Sequence, residues 1–333
     1  MSRATSYALV FGVVVFTTLV MTPVVRHLAT RFGAVVKPDE RRVHTLPTPT
    51  LGGIAMFVGL VAGMIVAWRL EAFREVFSGS TEPLGIVGAA FVILVVGVID
   101  DLREVSAPAK AAGTVLAASV LVLSGVSMLV FRIPFERALT GDETSVLYLS
   151  ADWSYLLSVV WVLGMANAVN FIDGLDGLAA GIVAIAAGAF FLFASQLTDL
   201  GLLEPGNIGP LVAIVVLGMC VGFLPFNFHP ARIFMGDCGA LLLGLLMAAA
   251  TMVVGGRTDE PYSGQVFFFY APIVIPLLIL GVPIFDTALA IVRRAAKRRG
   301  VATADKDHLH HRLMRLGHGH RRSVLIPVSY THL

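Results

Sequence analysis

The sequence predicts an all-α, polytopic membrane helix bundle of about nine spans. Three observations carry this. The 333 residues are 57% hydrophobic and only 14% charged, with a mean hydropathy of +0.85. A soluble domain carries about 25% charged residues. The apolar residues come in blocks of about 18–25, the length that crosses a hydrocarbon core about 30 Å thick, and not in the short alternating segments of a membrane β-barrel. The third observation is the uneven placement of Lys and Arg between alternate loops.

Taken in order, the blocks place spans at about 6–25, 52–69, 84–99, 110–131, 154–170, 178–196, 208–225, 238–255 and 267–292. The first block has no small-residue cleavage pattern and runs into a basic loop, so it reads as a retained span. With these spans, eighteen of the 24 Lys and Arg fall on one side, from Arg26 and Arg31 through Lys110 and Arg232 to the run Arg293–Arg322. The other side holds Arg3, Arg69, Arg74, Arg132, Arg137 and Arg257, while the acidic residues split evenly. The positive-inside rule makes the richer side cytoplasmic and the N-terminus external. No internal repeat supports an inverted-repeat transporter. Cys220 and Cys238 have neither disulfide nor metal-ligand spacing and read as packing residues.

On this topology five polar motifs share the cytoplasmic side. "HTLPTPTLGG" brings His44, Thr48, Thr50, Gly52 and Gly53 to the start of the second span. "GVIDD" ends the third span with Asp100 and Asp101. "NFIDGLDG" ends the fifth with Asn170, Asp173 and Asp176. "FNFHPARIFMGD" places Asn227, His229, Arg232 and Asp237 between the seventh and eighth spans, and "DKDHLHHRL" places Asp307, His308, His310, His311 and Arg312 after the ninth.

Each motif admits a plainer role. Asp100 and Asp101 could end their span at water, although an acidic pair at a helix C-terminus opposes the helix dipole. Asp173 and Asp176 could form a solvated turn with Gly174 and Gly177, although like charges three residues apart on a helix repel. Asp237 suits a helix N-cap. The histidines could lie on a surface helix packed through Leu309, Leu313 and Leu316. Arg293–Arg299 reads as a topogenic stripe facing lipid phosphates. Together, however, carboxylates and amides around one cavity suit a hard cation such as Mg²⁺, held by one or two carboxylates plus substrate phosphates. Neighbouring Lys, Arg and His suit phosphate and diphosphate groups. The combination reads as phosphoryl-transfer chemistry at a membrane surface.

The motifs "PTPTLGG", "GVIDDLREVSAPAK", "NAVNFIDGLDGLAAG", "FNFHPARIFMGDCGALLLG" and "DHLHHRLMRLGHGHRR" resemble those of the polyprenyl-phosphate N-acetylhexosamine-1-phosphate transferases, the WecA/TagO/MraY group, in family order. The resemblance runs from the first span to about residue 323. It implies attack by a membrane polyprenyl phosphate (undecaprenyl or decaprenyl) on the sugar-bound phosphorus of a UDP-N-acetylhexosamine. UMP is released and polyprenyl-diphospho-sugar is formed. It implies Mg²⁺, with Mn²⁺ as a substitute, bound by Asp237 with help from Asn170. Asp100 and Asp101 correspond to the acidic pair near the acceptor phosphate, one of them deprotonating or orienting the attacking oxygen. Asp173 and Asp176 correspond to the second acidic motif, which organises nucleotide and diphosphate. Lys110 corresponds to a lysine facing the diphosphate, and Asn227 and Phe234 to nucleoside-side positions, with Phe234 stacking on uracil. His308, His310, His311 and Arg312 match the last cytoplasmic loop, which contacts phosphate and sugar. Direct attack is favoured over a phospho-aspartate, because a metal-bound carboxylate has little free nucleophilicity.

"HLHHRL" is similar to the WecA/TagO-type histidine motif and favours UDP-GlcNAc over UDP-MurNAc-pentapeptide, the MraY-type substrate. The resemblance further implies a bacterial plasma-membrane enzyme of cell-envelope glycan synthesis, such as teichoic acid or lipopolysaccharide. A homodimer is its candidate assembly, and no nucleic-acid partner is expected. Family members have ten or eleven spans, whereas here "SVLIPVSYTHL" is too short to cross a bilayer. Residues 324–333 are therefore expected to be a truncated or anomalous tail after a 1–323 transferase domain. A cation-coupled transporter is the main rival from another class, but it would place its carboxylates near mid-bilayer. An inert scaffold and an intramembrane aspartyl protease are further rivals.

Overall fold

The computed structural model describes residues 1–36, 47–132, 146–204 and 206–255. Among them are nine α-helices: α1 Arg3–Arg31, α2 Gly52–Arg69, α3 Arg74–Phe77, α4 Glu82–Arg103, α5 Ala107–Leu123, α6 Ala151–Ile172, α7 Leu178–Asp199, α8 Gly209–Asn227 and α9 Gly236–Gly255. Seven of these, all but α3 and α5, are long and apolar enough to cross a membrane. The protein is therefore a multi-pass membrane helix bundle.

The first eight expected spans each coincide with one of these helices, and the ends differ for local reasons. The fourth is not 110–131. α5 stops at Leu123, where the Ser124 N–H and hydroxyl both bond back to the Val120 carbonyl and Gly125 turns the chain at φ +96°. The chain then forms a strand instead of more helix: β3 Val130–Arg132 pairs antiparallel with β4 Val146–Tyr148. A second small ladder joins β1 Val35–Val36 to β2 Thr48–Pro49. The connection after α2 also carries an unforeseen 3₁₀ turn, Glu71–Phe73, leading into α3. The ninth span, His44, the histidine loop and the 324–333 tail lie outside the described residues.

Helix starts follow ordinary rules. The Ser2 hydroxyl accepts the Thr5 N–H at the head of α1, and Pro lies in the first turn of α4, α5 and α8, where its missing N–H leaves nothing unpaired. Hydroxyls within the spans bond their own backbone, as Thr22 does to the Thr18 carbonyl at 2.6 Å. That removes a cost water would otherwise have relieved.

α9 is the axis of the bundle. Every residue from Cys238 to Gly255 is buried. It packs against α2, α4, α6, α7 and α8, while α1 lies outside on α2 and α8, and α5 outside on α4 and α6. Small residues allow this closeness, as is usual where helices associate in lipid. A Cβ at Gly244 of α9 would run into the Ala166 backbone of α6. Trp161 donates its indole N–H to Thr251 at 2.9 Å, tying α6 to α9. At the far end from the polar motifs, Asn207 donates to the Val253 carbonyl at 2.6 Å and accepts the Gly209 N–H at 2.8 Å. One side chain thus closes α9 and opens α8. Exposed Trp68, Trp153 and Tyr155 lie at that same end, as an interfacial aromatic belt does.

Candidate functional site

The described parts of four polar motifs meet at one mouth of the bundle. The contacts that join them run from α4 and α5 to α9, from the segment before α2 to the segment before α9, and from the α6–α7 turn to the end of α8.

The central contact is an ion triad. Lys110, in the first turn of α5, sets its ammonium 2.5 Å from Asp100 Oδ2 and also pairs with Asp237 Oδ2. A lysine at a helix N-terminus opposes the dipole, and the two carboxylates offset this. The second oxygen of Asp100 accepts the Val105 N–H at 2.7 Å, which closes the short turn between α4 and α5. Asp100 and Lys110 are held nearly out of solvent, while Asp237 keeps more access, with 31% of its side chain exposed.

Asp101 faces elsewhere. Its Oδ1 accepts the Asp237 N–H at 2.9 Å and its Oδ2 the Cys238 N–H at 3.2 Å. Asp101, not Asp237, caps α9, and it does so from another helix. The chain entering α9 needs Gly236, whose φ is +71° and where a Cβ would strike the Asp101 carboxylate and lie 2.5 Å from Thr50 Oγ1. Just upstream, the Gly52 and Gly53 N–H groups donate to the Phe234 and Met235 carbonyls at 3.0 and 2.9 Å, and the Phe234 N–H donates to the Pro49 carbonyl at 2.8 Å. The "PTPTLGG" segment therefore grips the backbone that carries Phe234, whose half-buried ring lies at the mouth.

The "NFIDGLDG" turn is fastened to the end of α8. Asp176 Oδ2 accepts the Ala231 N–H at 3.1 Å and lies 2.8 Å from His229 Nδ1. Asn227 is 2% exposed; its carbonyl accepts the Gly177 N–H at 3.2 Å and its amide donates to the Ile233 carbonyl at 3.1 Å. The Asn227 side chain thus ties two loops together. Asn170 occupies the last turn of α6, the helix packed on α9. Asp173 follows as the C-cap residue of α6. It lies deep in the mouth with part of its surface still open. That depth, and then the charges of Asp237, Asp101 and Asp176, push its carboxyl up to about 8.

Asp100, Asp101, Lys110, Asp173, Asp176, Asn227 and Asp237 are thus brought into one connected site. His308, His310, His311 and Arg312 lie outside the described residues. The partnership of His229 with Asp176 was missed from sequence, although His229 stands two residues after Asn227 in the same motif. Among the described residues, five carboxylates and one lysine face one another here. Among the described residues no three His, Cys, Asp or Glu side chains form a ready-made metal cluster. A Mg²⁺ site completed by substrate phosphates does not need one, and the crowding that raises Asp173 is the kind of field a divalent cation relieves.

Residues 83–255 match the model of glycosyl transferase family 4. Over 310 residues the chain is 43% identical to decaprenyl-phosphate N-acetylglucosaminephosphotransferase of Mycobacterium tuberculosis, covering 91% of this chain and 74% of that protein. It is 38% identical over 320 residues to the probable undecaprenyl-phosphate N-acetylglucosaminyl 1-phosphate transferase of Bacillus subtilis, covering 95% and 79%. Identity to the phospho-N-acetylmuramoyl-pentapeptide-transferase of Desulforudis audaxviator is 36% over 274 residues, covering 77% and 78%. The acidic pair, Lys110, the "NFIDGLDG" turn and the Asp237 helix all fall inside the matched stretch, and with relatives this similar over most of both chains, the chain belongs to glycosyl transferase family 4.

Proposed function

We propose that the protein transfers N-acetylglucosamine-1-phosphate from UDP-GlcNAc to a polyprenyl phosphate, at the cytoplasmic face of a bacterial plasma membrane. The observation that carries this reading is the triad of Asp100, Lys110 and Asp237 at the bundle mouth, where a lipid-borne phosphate and a water-borne nucleotide can meet. The names of the 43% and 38% identical relatives support the sugar and the acceptor class. The Lys and Arg asymmetry supports the cytoplasmic placement.

In this reading an oxygen of the acceptor phosphate attacks the sugar-bound phosphorus of UDP-GlcNAc. The bond from that phosphorus to the bridging oxygen breaks, and UMP leaves. Asp237, with Asn170, would hold Mg²⁺, which supplies charge neutralisation on the diphosphate. Asp100 orients the acceptor phosphate and takes any proton it carries. Lys110 exchanges its carboxylate partners for diphosphate oxygens and steadies the negative charge on the leaving UMP. Phe234 offers a ring face to uracil. The Asp176–His229 and Asn227 contacts keep the nucleotide side of the mouth in shape.

The test is UMP release by the purified chain with undecaprenyl phosphate and Mg²⁺, run side by side with UDP-GlcNAc and UDP-MurNAc-pentapeptide. Release with UDP-GlcNAc alone is expected. Asp237→Asn should reduce it by about a hundredfold or more, as loss of a principal electrostatic group does, with membrane insertion unchanged. Release only with the pentapeptide substrate would move the protein to the phospho-MurNAc-pentapeptide branch. Full activity of Asp237→Asn would remove it as the principal ligand.

A further inference from the structure

We infer that the two adjacent aspartates have separate tasks, and that Asp101 is a positioning residue which fixes Asp237 by capping α9. Asp100 faces the cationic side of the site, on Lys110 Nζ at 2.5 Å. Asp101 instead holds the second and third backbone N–H groups of α9, those of Asp237 and Cys238, with one carboxylate oxygen on each, at 2.9 and 3.2 Å. A carboxylate suits this position because it accepts from both donors and complements the positive end of the helix.

The cap crosses 136 positions of sequence to reach Asp237. It therefore sets the distance between α4, which carries Asp100, and the carboxylate Asp100 must work with. Other contacts restrain the same backbone. Gly97, one turn before Asp101, lets α4 touch the Cys238 backbone; a Cβ there would sit 2.8 Å from the Asp237 carbonyl carbon. Gly53 of α2 meets Cys238 and Gly239 in the same manner. With the Gly52 and Gly53 bonds to Phe234 and Met235, residues 234–239 are clamped from two helices, and Asp101 is the charged member of the clamp. Asp101 thus acts on the reaction through Asp237, and its negative charge serves the helix terminus.

The activity arm of the test rests on the transferase reading; the exchange and binding arms do not. Asp101→Ala and Asp101→Asn in the full chain would be compared with wild type by amide hydrogen exchange over residues 234–239, by Mn²⁺ affinity from the electron paramagnetic resonance of free Mn²⁺, and by kcat and KM for UMP release. Asn keeps one acceptor oxygen of the two and puts an NH2 against the other N–H, so it should fall between Ala and wild type in all three. Ala should speed exchange at Asp237 and Cys238 and weaken Mn²⁺ binding by about tenfold or more, the usual effect of losing a residue that orients a metal ligand. Its kcat should fall while KM for the acceptor holds.

Two results would overturn the assignment. One is wild-type exchange in Asp101→Ala. The other is an Asp101→Asn that keeps wild-type exchange and Mn²⁺ affinity yet has lost turnover, which would put the Asp101 charge in the chemistry. If Asp101→Ala fails to fold, Asp101→Asn alone decides between these. If wild type releases no UMP from either sugar nucleotide, the transferase reading fails, and exchange with Mn²⁺ binding still judges the cap.

Discussion

Asp173 shows how one residue couples the site to stability. In the unfolded chain its carboxyl ionises near 3.8; folded, it does so at about 8. Between those values the folded state holds a proton that the unfolded state has lost, so stability falls as pH rises through this window and levels off above it. Asp173→Asn removes the penalty. Its stability advantage over wild type should grow between about pH 5 and about pH 8, approaching but not reaching the about 1.4 kcal/mol that each pKa unit represents for a fully enclosed group. Thermal melts in detergent without divalent cations would check this; a constant difference would show that Asp173 ionises normally. Asp173 and Asp237 were legible in the sequence, because charges are scarce in this chain and these fall at span ends; Lys110 was singled out only by the family resemblance. The partner of Asp101 was not, since no local pattern tells a carboxylate which distant N–H it will meet. Asn227, which the resemblance places on the nucleoside side, bonds Gly177 and Ile233 with its amide; its motif shows that it is near the site but not what its amide bonds to.

At the scale of helices, the approach of α4 to α9 depends on Gly97. A side chain there meets Cys238 and Asp237 backbone, which cannot swing aside. At Gly88 on the same helix a Cβ would meet only Val120 Cγ1, at an ordinary 3.7 Å. Gly97→Val should therefore destabilise by about 1–3 kcal/mol through overpacking and depress turnover further by moving α4 off Asp237. Gly88→Ala should leave both nearly unchanged. Equal melting temperatures and rates for the two variants would refute the close-contact role. Span positions were readable from apolar block length alone, because lipid leaves the backbone few alternatives to helix. The end of α5 was not readable: Val126, Met128, Leu129, Val130 and Phe131 prolong an apolar block beyond Gly125, and hydropathy does not distinguish a helix from the strand that follows.

In the whole molecule, chain order and spatial order differ. α9 comes late in the described chain yet forms the axis, and the early helices α2 and α4 are packed around it. The convergence of four motifs could be anticipated from sidedness, since alternate loops share a face. The central place of α9 was foreshadowed only by its lack of a polar stripe, which marks a helix enclosed on all sides. Its full enclosure keeps the helix that carries Asp237 off the bilayer. Thickness mismatch is taken up by tilt and bending of lipid-facing helices; the least buried of the spans is α1, which carries none of the site's residues. Turnover reconstituted in short-, medium- and long-chain phosphatidylcholine should vary little, even where thermal stability changes; a steep optimum at one acyl length would show that the axis feels the membrane. A catalyst built this way keeps one geometry as the lipids around it are exchanged, which suits an enzyme that draws its own acceptor from that same bilayer.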